Sequence, residues 1–194
     1  MAMIGLRYPI CAQITEDGGT TTYSGGKVIG RAIKADMSIE VTDDKLYADD
    51  AVAETAKEFK SGKVTLNADD IPDEIKAVIF GHKQEDAGIT GETEVKMLIS
   101  GGNDDGSPVG LGFYGVKQLN GSRKYRAIWL TKVKFGVNSE SLETKGESIS
   151  FQTPTIEGDI MTDAAGNWKK EVTLSTASAA IAWLNKMAGI EVSA

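Results

Sequence analysis

The chain has 194 residues, 41% of them hydrophobic, and a formal net charge of -7, proportions that suit one soluble globular domain. With 28 acids against 21 bases it is a poor candidate for gripping nucleic acid by its phosphates. The single cysteine, Cys11, excludes an intrachain disulfide or a multi-cysteine metal site, and no apolar run approaches the ~20 residues that span a bilayer.

Residues Met1 to Ile14 read as an irregular start and then a strand, with Cys11 as a small buried residue. Arg7 and Pro9 interrupt the apolar stretch and no signal-peptide core is visible, so a cytoplasmic protein is expected. Glu16 to Gly26 is rich in turn signals, Asp17-Gly18-Gly19 and Ser24-Gly25-Gly26. The next strand is clean. Ile33, Ala35, Met37, Ile39 and Val41 alternate with Lys34, Asp36, Ser38, Glu40 and Thr42, which predicts one face on a core and the other in water. Alternation fails from Thr42 to Gly62, so a long loop, functional or flexible, is expected there. It returns over 63–68, with Val64, Leu66 and Ala68 inward.

A helix follows. Asp69 and Asp70 are candidate N-caps, Pro72 fits the first turn, Ile71, Ile75, Val78 and Ile79 form the apolar stripe, and Gly81 is the expected C-cap. Glu92 to Ser100 is a weaker strand, and Gly101 to Pro108 a loop. Val109 to Phe135 reads as two long strands joined at Asn120-Gly121, the strongest short hairpin signal. The first arm is apolar or glycine on both faces, as in a central covered strand. On the second, Tyr125, Ala127, Trp129, Val133 and Phe135 share one face; Lys124, Arg126, Lys132 and Lys134 share the other. Beyond a polar stretch, 148–153 and 155–161 read as strands broken at Pro154, and 168–174 as another. A last helix is capped by Ser175 or Thr176, packs through Ala180, Ile181, Leu184, Met187 and Ala188, and ends at Gly189. The sum is one mostly β domain over 1–194, with two short α-helices.

Motifs that carry chemistry do not hold up in context. Gly110-Leu-Gly-Phe-Tyr-Gly115 matches the dinucleotide fingerprint, yet it lies inside a strand and opens no helix; its glycines are expected to admit a neighbouring backbone or ring. Gly101 to Gly112 has glycine where a calcium loop needs its first and twelfth ligands. Asn120-Gly-Ser122 is formally a sequon, better read as the hairpin turn. The one histidine, His82, follows the first helix, where packing or capping is the expectation; from that position it does not assemble a Cys–His or Ser–His–Asp arrangement. The Asp pairs 43/44, 49/50, 69/70 and 104/105 are adjacent residues, not opposed carboxylates, so they read as a cap, solvated turns or partner contacts. No catalytic, cofactor or metal residue is assigned.

Charge is unevenly spread. Glu40 to Glu58 holds Glu40, Asp43, Asp44, Asp49, Asp50, Glu54 and Glu58 against Lys45 and Lys57, whereas Lys117 to Lys134 holds Lys117, Arg123, Lys124, Arg126, Lys132 and Lys134 and no acid. Either these are two independently solvated surfaces, or they are complementary and meet head-to-tail between copies.

GFYGVK, NG, KYRAIWL and KVKF, followed by GESISFQTPTIEGDIM, resemble the major tail (tail-tube) proteins of long-tailed phages and prophages of Gram-positive bacteria. So do the N-terminal IGLRYPICAQITEDGGTTTYSGGKVIGRAIKADMSIE, the segment KLYADDAVAE and the C-terminal AIAWLNKMAGI. The resemblance covers nearly the whole chain except 88–108 and the last four residues. It implies a β-sandwich-like or barrel-like subunit of hexameric rings stacked into a virion tail tube, assembled in the host cytoplasm. Implied partners are further copies, the tail tip or initiator, tape measure and terminator proteins, and phage DNA in unspecific transit through an acidic lumen, with no membrane anchor. It implies an assembly loop at about 42–62 reaching the adjacent ring, with Asp43, Asp44, Tyr47, Asp49 and Asp50 as stacking residues. Arg123, Lys124, Arg126, Lys132 and Lys134 become the basic interface stripe, and Asp36 and Glu40 the lumen-facing candidates. The competing readings are a monomeric β-sandwich binding or decoration module, the inner tube of a contractile injection system, and an enzyme whose site the residues do not announce.

Overall fold

The computed structural model describes residues 3–48, 51–91, 94–119, 121–136 and 153–190. In chain order the elements are β1 (Met3–Asp17), β2 (Thr20–Val28), β3 (Ala32–Ala48), β4 (Ala51–Ala68), α1 (Asp73–Phe80), β5 (Lys83–Asp86), β6 (Lys96–Ile99), β7 (Val109–Leu119), β8 (Ser122–Phe135), β9 (Thr155–Met161), β10 (Lys169–Leu174) and α2 (Ala177–Met187). The fold is mostly β. One eight-stranded antiparallel sheet runs β2-β1-β7-β8-β9-β4-β3, with β10 beside β8, and β5 and β6 make a separate two-stranded sheet. The expected strand over 148–153 falls, apart from Thr153, outside the described residues.

The sheet curls on itself. Cα atoms of β1 and β3 approach within 8 Å, although five strand steps separate them along the ladder order; a flat sheet would hold them about 24 Å apart at ~4.8 Å per strand. The interior contains Cys11, Val64, Leu66, Val109, Leu111, Leu130, Val133 and Ile160 and is plugged by Ile75, Ile79 and Phe80 of α1. On the outer face, Ile10, Ala12, Tyr114, Ala127 and Trp129 pack under Ala180 and Leu184 of α2. Both faces of β7 and of mid-β8 are therefore buried, as the apolar run of β7 predicts.

Three expectations are corrected. First, β8 does not keep one parity. Val109 and Leu111, two apart on β7, pair with Val133 and Leu130, three apart on β8. This bulge moves Val133 and Phe135 to the interior beside Ile128 and Leu130, while Ala127 and Trp129 stay outside. At the bulge β8 also changes neighbour, from β10 at Tyr125–Leu130 to β9 at Lys132–Phe135. Buried Thr131 is fully bonded there: its N–H donates to Trp168 O (3.1 Å), its hydroxyl to Asn167 O (2.6 Å), and its carbonyl accepts from Tyr23 Oη (2.9 Å). Secondly, the turn-rich stretch after Glu16 is mostly β2; only Gly18-Gly19 turns the chain, and Gly25 sits at an irregularity inside the strand. Thirdly, neither Asp69 nor Asp70 caps α1. Asp69 Oδ1 accepts from the Arg31 N–H and Asp70 Oδ1 from the Ile71 N–H; the N-cap is Pro72, without a side-chain bond. Asp73 and Glu74 complement the helix dipole instead.

Other local readings agree with the structure. Gly81 ends α1 at φ 76°, Leu119 pairs with Ser122 across a two-residue turn, and Thr176 Oγ1 accepts from the Ala179 N–H to cap α2. The glycines of the nucleotide-like motif make room for an aromatic ring. A Cβ at Gly110 would lie 2.3 Å from Trp129 Cζ2, and one at Gly112 2.5 Å from Trp129 Cε3.

Candidate assembly surfaces

Among the described residues β3 is hydrogen-bonded to β4 alone and ends the ladder order, with β1 approaching it. Ala35, Met37 and Ile39 stand opposite Leu66, Val64 and Gly62 and share their face. Leu66 and Val64 are fully buried, yet Met37 remains 39% and Ile39 36% exposed. The face expected to pack on a core is thus continuous with the core and left open at its last strand. Val41, 53% exposed, follows the apolar run at one end, and Ile33, also 53% exposed, lies at an irregularity between Ala32 and Lys34 at the other. Full burial of such side chains is worth about 1.5–3 kcal/mol each, so covering what remains open on four of them supplies roughly 2–6 kcal/mol. Long apolar edges of this kind template association unless something covers them.

Beyond Gly62 the support from β9 ends. Phe59 stacks on Trp168, with centroids 5.0 Å apart and planes at 7°, and past it β3 and β4 pair, among the described residues, only with each other, down to Ala48 opposite Ala51. The expected loop at 42–62 is therefore a two-stranded arm. Val41 to Ala48 spans roughly 26 Å at ~3.3 Å per residue. At its root Asp43, Lys57 and Glu58 are exposed. Of the stacking candidates, Asp43 pairs in register with Lys57, Asp44 with Ala56 and Tyr47 with Val52. Asp49 and Asp50 lie outside the described residues. Asp36 and Glu40 are exposed on β3's polar face; Asp36 meets Lys34 at 2.5 Å, and Glu40 Oε2 accepts from Ser61 Oγ at 3.1 Å.

Three of the five cations of the basic stripe have acidic partners within the chain. Arg126 is bound by Glu171, Lys132 meets Glu16 at 2.6 Å, and Lys134 meets Asp105 at 2.6 Å. The Arg126 bond, helped by Lys169, holds the Glu171 carboxyl down at about 2 and raises the guanidinium. These partners sit on β1, β10 and the loop before β7, which the sequence spacing gave no means of pairing with β8. Arg123 and Lys124 have no ion pair among the described residues. Of Asp104 and Asp105, expected as a solvated turn or a partner contact, Asp105 is exposed while meeting Lys134, and Asp104 is engaged within its own loop.

Asp104 Oδ2 accepts from the Gly101 N–H (2.7 Å) and lies 3.0 Å from His82 Nδ1; His82 Nε2 is 3.4 Å from Ser100 Oγ. The structure thus brings together a Ser–His–Asp connectivity that the lone histidine did not announce. Its geometry supports a clamp. The Ser100 contact is at the outer limit of hydrogen bonding, and the Gly101 amide donates to Asp104. That amide, then His82, holds the Asp104 carboxyl below its ordinary range. His82 also lies against Phe80, so the clamp ties the 100–106 loop to the end of α1.

No protein-family model matches the chain, and no curated protein matches it.

Proposed function

We propose that this chain is a self-assembling structural subunit, forming stacked, hexameric rings as the tube wall of a long-tailed phage or prophage tail. The apolar edge at β3 carries the proposal: a core face that continues onto a strand left uncovered among the described residues is what a domain shows when a second copy completes it. The resemblance of the sequence supplies the kind of assembly. The paired arm beyond Phe59 gives each copy a projection long enough to reach a neighbour, and Asp43, Asp44, Tyr47, Asp49 and Asp50 remain its proposed stacking residues. Asp36 and Glu40, on the polar face of the same edge strand, remain the proposed lumen residues, where carboxylates would repel DNA phosphates and keep the genome from sticking. The tape measure, terminator and tip proteins are its proposed partners.

The test is negative-stain electron microscopy with light scattering over a concentration and salt series. Rings or hollow tubes support the reading. A protein that stays monomeric even after a tail-tip complex is added contradicts it and favours a free binding module.

A further inference from the structure

The cations of β8 fall into two groups. Arg126, Lys132 and Lys134 have acids of their own chain as partners. Arg123, at the start of the strand, has no ion pair among the described residues, and neither has Arg7 of β1. Both line a cleft of about 250 Å³ with Ile4, Gly5, Val116 and Gln118. Ile4 is 63% exposed, more than any other large hydrophobic residue among those described. β1 is irregular here. Its register with β7 shifts between Ile4 and Leu6 and again between Arg7 and Ile10, and Gly5 and Tyr8 take positive φ of 72° and 59°. Lys117 and Lys124, the ladder pair next to Gln118 and Arg123, add two cations at the same corner of the sheet. Such a cleft suits an occupant that is acidic and partly apolar.

The hairpin of β5, β6 and their connecting loop has that character. Glu85 and Glu94 are exposed on it and have no ion pair among the described residues. Ile89, Val95 and Met97 are 57%, 40% and 44% exposed. Glu85 stands opposite Met97, so a carboxylate and an apolar side chain share a face. The hairpin's lysines face acids of their own chain: Lys96 lies opposite Asp86 and near Glu74, and Lys83 near Asp104. Two strands alone are marginally stable in water, so a surface that covers Val95 and Met97 also steadies the hairpin. We propose that the cleft of one copy receives the β5–β6 hairpin of the next, with Arg7 and Arg123 meeting Glu85 and Glu94 around Ile4. This rests on the self-assembly reading above and names a pair of surfaces for it. Cleft and hairpin belong to opposite ends of β8. The strand starts at the cleft and ends beside Lys134, which meets Asp105; the bonds among Gly101, Asp104 and His82 tie that loop to the base of the hairpin. A contact between unlike patches repeats from copy to copy, and closes into a ring or runs on as a filament. The apolar face of β3 is a poorer host for the hairpin, because Asp36 and Glu40 project from the same strand and oppose Glu85 and Glu94. The sequence resemblance stops at residue 88, so it does not supply this contact.

Sedimentation velocity of the full chain tests the pairing, with thermal unfolding to confirm that each variant folds. Reversing the cleft (Arg7→Glu with Arg123→Glu) is expected to weaken self-association at least about tenfold, and reversing the hairpin (Glu85→Lys with Glu94→Lys) to do the same. An equimolar mixture of the two reversed chains restores association to within about threefold, because each cleft then meets a hairpin of opposite charge on the other chain. Should a reversed chain fail to fold, Arg123→Gln and Glu94→Gln carry the same test, each with a loss of about threefold expected and no loss counting against the pairing. Reversed chains that associate like the parent, while Ile39→Lys on β3 abolishes association, overturn this pairing and leave the self-assembly reading standing. Failure of the mixture to recover overturns the hairpin as occupant. If a short duplex DNA binds the parent and not the cleft variant, with self-association unchanged, the cleft is a phosphate site and the proposal falls. A parent chain that stays monomeric at every concentration, and after a tail-tip complex is added, overturns both readings.

Discussion

Replacing Gly112 by Ala tests the central packing contact of the outer face. Gly112 has no backbone need for glycine, since its φ is not positive; in a strand an added methyl would by itself help by roughly 0.5–1 kcal/mol. The obstacle is steric. The new Cβ would lie 2.5 Å from Trp129 Cε3 and 2.8 Å from Leu184 Cδ2. The leucine methyl is the free end of a flexible side chain and can turn away. The indole cannot, because Trp129 is fully buried and Tyr23 meets it edge-on at 5.1 Å. Overpacking of this kind costs about 1–3 kcal/mol. Trp129→Leu removes the ring at a cost of about 2–4 kcal/mol in lost burial and cavity. In that background Gly112→Ala should cost nothing or stabilise, giving a coupling of about 1–3 kcal/mol. Urea unfolding followed by far-ultraviolet circular dichroism measures all four corners without relying on Trp129 fluorescence. Additive effects would refute the claim that these glycines exist to seat the ring.

Acid titration should expose the engaged carboxylates. Glu171, Asp104 and Glu74 are held low by Arg126, the Gly101 amide and Lys27 respectively. A depressed folded pKa gives stability that is complete above the unfolded carboxylate range and is lost as pH falls from about 5 toward 2. The Arg126–Glu171 pair is partly exposed, so its share is about 1 kcal/mol or less; the urea-midpoint gap between Glu171→Gln and the parent should close over that window, and a gap that persists to pH 2 argues against the pair. Burial pushes the Cys11 thiol up to about 12, so a thiol reagent should label the native protein only as fast as it opens; labelling at a free-thiol rate would contradict the packing. Reversing Asp49 and Asp50 to Lys should weaken assembly and leave the folded subunit intact, as read by microscopy and circular dichroism; tubes that form unaffected would remove the arm tip from the stacking contact.

Much of the fold was legible because local chemistry and tertiary structure agree at those places. Leu119 and Ser122 pair where a hairpin was expected, Thr176 caps, Gly81 terminates, and Ile71, Ile75 and Ile79 of the α1 stripe are buried. Misreadings fall where a strand departs from its period for a reason sited elsewhere. The bulge at Thr131 is stabilised by Asn167, Trp168 and Tyr23, all distant in sequence, so an apolar period of 2 read along β8 alone crosses it unaware. The arm is paired by its backbone ladder without an apolar period of 2, and pattern reading takes that silence for a loop. β3 shows the opposite failure: its alternation is real, but periodicity reports which face is apolar and not whether anything in the same chain covers it. The stripe on β8 was likewise a correct list of charges with no information on which acids of β1, β10 or the loop before β7 would meet them.

Hydrogen exchange at β3, compared below and above the concentration at which the protein associates, tests the central claim most directly. Backbone amides of Ala32–Val41 that are open in the dilute subunit should become protected on assembly, while those of β7, already buried, should not change. Exchange at β3 that is the same at every concentration, in a sample shown by scattering to have associated, would mean that the open edge is not where copies meet.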